Sequence, residues 1–139
     1  MTSIIIKNLQ KKIPVNNSKV KKIVLKIISR EALPGRGQVN IAFISDSRIK
    51  RLNSRFHGRD IPTDVLAFGL GRPKKELIAD IYISADTALR NSRVFKTSPG
   101  REMYLYVIHA MLHLSGYGDH RPGDIKKMRG KEQEYLKWL

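Results

Sequence analysis

Residues 97–120 read TSPGREMYLYVIHAMLHLSGYGDH, and the fold turns on this stretch. Thr97-Ser98-Pro99-Gly100 is a helix-start signal: a hydroxyl caps the first amides, and proline in the first turn has no amide to lose. From Arg101 to Leu114 nearly every position is apolar apart from the ends and two histidines. A helix apolar on most of its faces has to be surrounded by other elements, so this one is central and buried. Gly116 is suited to stop it in a left-handed turn.

The segments around it read as a small sheet and further helices. Ser3 to Lys7 holds three consecutive isoleucines, a β-branched run that suits a short strand. Asn16, Asn17 and Ser18 then cap a helix whose Val20, Ile23, Val24, Ile27 and Ile28 recur at helical spacing. That helix is expected to end near Leu33, before the Pro34-Gly35 turn. Gln38 to Ser45 alternates through Val39, Ile41 and Phe43, the mark of a half-buried strand. Asp46 opens a short basic helix containing Ile49, Leu52 and Phe56. Val65 to Phe68 and Ile78 to Ser84 are a third and fourth strand, joined by a basic loop, and Asp86 to about Phe95 is helical. After Pro122-Gly123-Asp124 comes a last helix with Ile125, Met128, Tyr135, Leu136 and Leu139 on one stripe. The expectation is one α+β domain over residues 1–139, with a small mixed four-stranded sheet and about five helices.

With 139 residues and no cysteine, disulfide frameworks, Cys-ligated zinc modules, iron–sulfur clusters and thiol nucleophiles are excluded. Lys plus Arg is 27 against 12 Asp plus Glu, a net charge of +15. A compact chain this basic attracts polyanions, nucleic-acid phosphate first among them. No apolar run is long enough to span a bilayer, and no signal peptide or lipidation cysteine is evident, so a cytoplasmic protein without membrane partners is expected.

Three of the four histidines fall in residues 109–120. His109 and His113 stand at i and i+4, so both imidazoles leave one helix face about 5–6 Å apart at Cβ. That separation lets both rings reach one metal ion, and a chain doubling back through Gly118 brings His120 as a third ligand. Three neutral nitrogens with an open fourth position describe a zinc site able to activate water. The rival reading makes His109 and His113 hydrogen-bonded core residues and His120 a loop residue. Asp119 is either a support for the histidines or a surface acid. Glu102, two turns before His109, either supports the site or offsets charge at the helix start. In the zinc-protease helix a glutamate follows the first histidine as general base, whereas Ala110 here carries no proton.

The His-x-x-x-His-Leu-x-Gly-Tyr stretch with its later Asp-His resembles the signature of the YbeY-type endoribonucleases, which are rRNA maturation factors. Leu52-Asn53 with Asp60 to Phe68, and Ala79 to Ser84, resemble two further blocks of that family in the same order. The resemblance implies an α+β fold with a zinc-hydrolase-like central helix and one Zn2+ per chain held by His109, His113 and His120. It also implies hydrolysis of single-stranded RNA, most simply rRNA precursor, in small-subunit maturation and ribosome quality control; ribosomal and assembly proteins are the implied partners, and DNA is not. Two departures stand out: Gly118 is an extra residue between Tyr117 and Asp119, and His57 occupies the place of an arginine that usually follows the aromatic at Phe56.

For phosphodiester cleavage, cations must offset charge developing on the phosphorane. Arg59 is the first candidate and His57, with an unperturbed pKa near neutrality, the second. Arg55, Arg72, Lys74 and Lys75 are candidate RNA contacts, each a solvated surface charge on the plainer reading. Asp64 and Asp80 are structural acids or hold a second ion, and Tyr104, Tyr106 and Trp138 are packing residues. Two rival functions are a non-catalytic basic ribosome-assembly factor with a structural metal, and a metallopeptidase, against which Ala110 speaks.

Overall fold

The computed structural model describes residues 2–70 and 75–139. The order is β1 (Thr2–Asn8), α1 (Asn17–Arg30), β2 (Gly37–Ile44), α2 (Asp46–His57), β3 (Val65–Leu70), β4 (Leu77–Ser84), α3 (Ala85–Phe95), α4 (Pro99–Leu114) and α5 (Pro122–Leu136). The four strands lie in the order β1-β2-β4-β3. The pairs β1–β2 and β2–β4 are parallel, while β3 runs antiparallel to β4. This is the expected mixed α+β sheet.

Its two faces are covered unequally. Val39, Ile41 and Phe43 of β2 and Ala79, Ile81 and Ile83 of β4 alternate onto one buried face that packs against α4, around which α1, α3 and α5 gather. There α4 is enclosed by its neighbours, with Val107, Ile108, Met111 and Leu112 fully buried, as its sequence requires. Among the described residues the opposite face carries α2 alone, over a minor core of Ile44, Ile49 and Leu66.

Local chemistry sets the boundaries. Asn16, Ser45, Ser84 and Ser98 each cap a helix by accepting an amide hydrogen bond three residues on. Gly58, in the left-handed conformation at φ 68°, closes α2, its amide donating to the Asn53 and Ser54 carbonyls. Gly37 at φ 136° sits so close to β4 that a Cβ there would lie 2.0 Å from the Leu77 carbonyl oxygen.

Two expectations are corrected. Helix α1 ends at Arg30, short of Leu33, because Ala32 turns left-handed and the Leu33 amide folds back onto the Ile28 carbonyl. Ile125 on α5 and Leu139, beyond its end at Leu136, are exposed at 39% and 38%, and the buried stripe runs through Met128, Glu132, Tyr135 and Leu136. An acid holds a core position because it has strong partners there.

Candidate functional site

His109 and His113 leave α4 on one face with their rings stacked, centroids 6.2 Å apart and planes within 10° of parallel. Each is oriented through Nδ1. The His109 Nδ1 lies 2.7 Å from Oε2 of Glu132, whose side chain is 1% exposed and whose other oxygen accepts from Arg129 Nη1 at 3.0 Å. The His113 Nδ1 lies 3.0 Å from the Tyr117 carbonyl oxygen. A carboxylate and a carbonyl only accept, so both Nδ1 atoms donate, and in the neutral rings both Nε2 atoms carry lone pairs. An Nδ1 hydrogen bond to a carboxylate or carbonyl is the usual support of a metal-ligating histidine. The donor set at these two positions therefore fits a metal ion.

The support of His113 reaches further. Gly116 adopts φ 103°, which lets the chain reverse and the Tyr117 amide donate to the Leu112 carbonyl. Tyr117 is in turn tethered, its hydroxyl donating to Oε1 of Glu31 at 2.7 Å. The other Glu31 oxygen accepts from the hydroxyl of Tyr135, and Lys131 Nζ stands 3.5 Å away.

His120 is placed differently from expectation. Its side chain is 93% exposed, and its Nε2 lies 3.5 Å from Oδ1 of Asp119. The other Asp119 oxygen faces His109 Nε2 at 3.7 Å. Asp119 thus stands between the two imidazoles, and among the described residues no three His, Asp or Glu side chains converge closely enough to hold an ion. His120 thus lies at the rim of the site.

A cleft of about 290 Å3 opens beside His109, lined by Asp64, Tyr106, Asp119, Arg129 and Glu132 among others. The Glu132 hydrogen bond raises the His109 pKa; burial opposes it, and the charges of Glu132, Asp64 and Asp119 add to the rise. Asp64, an expected structural acid, does accept from the Val65 amide at 2.8 Å, yet it also faces this cleft. Glu102 serves the start of α4, buried and accepting from Thr97 Oγ1 at 2.6 Å. Asp80 accepts from Asn40 Nδ2 at 2.9 Å on the other face of the sheet.

None of Arg55, His57 and Arg59 lines the histidine cleft. His57 ends α2 and stacks on Phe68, ring centroids 5.7 Å apart. Exposed Arg59 follows Gly58, in a loop that the buried Asn53 pins by donating to the Ile61 carbonyl at 3.0 Å. Arg55 lines a groove under α2, and Lys75 is exposed in the β3–β4 connection. Arg72 and Lys74 lie outside the described residues. Glu132, Arg129 and Glu31 were not singled out from the sequence. An acid on the Met128–Tyr135 stripe was the available signal for Glu132; nothing comparable marks Glu31.

Fold and site define an α+β protein whose central helix carries two oriented imidazoles, one of them lining a polar cleft. A family model described as Endoribonuclease YbeY matches residues 5–139. The chain belongs to the YbeY endoribonuclease family. It is 40% identical over 99 residues to Endoribonuclease YbeY of Anaeromyxobacter sp. (strain Fw109-5), covering 70% of this chain and 52% of that relative, about half its length. It is 32% identical over 136 residues to the protein of that name from Carboxydothermus hydrogenoformans, covering 96% and 95%. A solution structure from Thermotoga maritima superposes with a TM-score of 0.64 at 30% identity, over 99% of this chain and 87% of that one. No helix among the described residues is long and apolar enough to cross a membrane.

Proposed function

We propose that this protein is a zinc-dependent endoribonuclease that cuts single-stranded RNA, with small-subunit rRNA precursor as its substrate and the cytoplasm as its place of work. The observation that carries this reading, beside family membership, is the pair of α4 imidazoles with Nδ1 occupied by Glu132 and by the Tyr117 carbonyl. His109 and His113 supply two ligands through Nε2, and His120 supplies the third on moving in from the rim. When bound, the ion supplies Lewis acidity toward water and a phosphoryl oxygen. Glu132 holds His109 in the ligating tautomer. Arg129, at the cleft with its side chain 66% exposed, presents a cation to the RNA backbone. Arg59 and His57 meet the same strand from the α2–β3 segment, and ribosomal and assembly proteins are the partners this role requires.

The test is metal content and cleavage together. Purified protein is expected to hold about one zinc per chain, the stoichiometry of a single three-histidine site. It is expected to cut single-stranded RNA while sparing duplex RNA, DNA and casein. His113→Ala, folded by circular dichroism, should lose both metal and cleavage. Cleavage that persists in the metal-free variant would refute the mechanism. The replacement of the family's arginine by His57 favours a second reading, a non-catalytic RNA-binding assembly factor: metal and RNA bound, with no RNA cut.

A further inference from the structure

Across the sheet from the histidines, the outward residues of β1, β2 and β4 form a trough of about 520 Å3 that includes Ile5, Asn40 and Tyr82. Through Leu9, Ala42 and Tyr82 it runs on into a second hollow of about 440 Å3, walled by Arg48, Arg51 and Arg55 of α2. These arginines stand at i, i+3 and i+7, so they share one face of the helix. None has a carboxylate partner among the described residues. The acid in the trough is Asp80, which accepts from Asn40. The floor is apolar, with Leu9 50% and Ile5 41% exposed.

We infer that this continuous groove is a second contact surface for single-stranded RNA, remote from the histidine cleft, taking phosphates on Arg48, Arg51 and Arg55 and a base against Tyr82. The inference rests on the reading of the protein as an RNA-binding enzyme. An uncompensated guanidinium row beside an aromatic and aliphatic floor is the combination that holds single strands without sequence preference. The row extends about 10 Å along α2, room for roughly three stacked nucleotides. A strand gripped here and cut at the histidines must cross from one face of the sheet to the other, so long RNAs gain affinity that short ones cannot.

The experiment measures binding of a fluorescent oligouridylate, long enough to reach both faces, against salt concentration. It compares the full chain with Arg48→Ala/Arg51→Ala and with a control, Lys50→Ala/Arg93→Ala, which removes equal exposed charge outside the groove. The Arg48/Arg51 variant should flatten the log–log salt slope by about 1.4, two phosphate contacts at ~0.7 each for a single strand, while the control leaves it unchanged. Tyr82→Leu should weaken binding with the slope intact. Equal flattening in the control, or none in the Arg48/Arg51 variant, overturns the groove. An unchanged slope together with displacement of RNA by polyglutamate would assign the face to an acidic protein and overturn it as well. Failure of the unmodified protein to bind or cut RNA would instead remove the function on which the inference rests.

Discussion

Replacing Glu31 by glutamine keeps the shape of the side chain and removes its charge. Burial pushes the Glu31 carboxyl up, but hydrogen bonds from Tyr135 and Tyr117 and the charge of Lys131 outweigh it and hold the group below the usual value. A lowered folded pKa means that the carboxylate stabilises the fold above its unfolded pKa, about 4.3, and that the contribution disappears as pH falls through the folded value. Hydrogen bonds to a charged acceptor contribute about 1.5–3 kcal/mol and neutral ones about 0.5–1.5, so each tyrosine loses about 1 kcal/mol in the variant. Lys131, a third exposed, adds less than ~1 kcal/mol. Glu31→Gln should therefore cost about 2 kcal/mol at pH 7, or about 7 °C in Tm for a chain of this size, and less at pH 3, as the carboxylate protonates. Urea unfolding at the two pH values measures the difference. Because Glu31 anchors the Tyr117 hydroxyl, amide exchange at Tyr117 should also accelerate more than at Ile81 in the sheet. A loss equal at both pH values, or exchange that rises uniformly, would refute the tether.

Other outcomes follow from the same geometry. Glu132→Gln leaves an acceptor for His109 but no charge, and should weaken metal binding about 10–100-fold, read by chelator competition; unchanged affinity would mean that His109 needs no orienting partner. Gly37→Ala forces a Cβ into the Leu77 carbonyl at a φ of 136°, and should cost about 3 kcal/mol or more in denaturant unfolding. Asn16→Ala removes the cap that accepts the Lys19 amide at 3.1 Å and should cost about 1 kcal/mol, with α1 fraying at its start.

Much of this protein is legible in its sequence because the signals are local. The i, i+4 histidines, the Ser98-Pro99 start of α4 and the alternation in β2 each act over a few residues, and each stands where its spacing requires. The groups that orient the histidines are distant in sequence and escape such reading. Glu132 meets His109 across 23 residues, and Tyr135 meets Glu31 across 104. An isolated glutamate on a polar helix looks like a solvated charge, and only its position on the Met128–Tyr135 stripe marks Glu132 as buried. Spacing makes His120 available, but the path of the turn after α4, and Asp119 within it, decides where the ring rests. Arg55 was legible as a cation; that it shares a groove with Arg48 and Arg51 on the far side of the sheet depends on how α2 packs.

Both tethers end on the last helix. Glu132 on α5 orients His109, and Tyr135 on α5 holds Glu31, which holds the loop that orients His113. Synthesis proceeds from the N-terminus, so the strands, α1 and α4 all exist before these two side chains do. In a chain ending before Lys131 the His113 Nδ1 keeps its Tyr117 acceptor, whereas His109 has no carboxylate to fix its tautomer and Glu31 lacks the Tyr135 hydroxyl. The orientation of His109 is therefore completed last, with the emergence of α5.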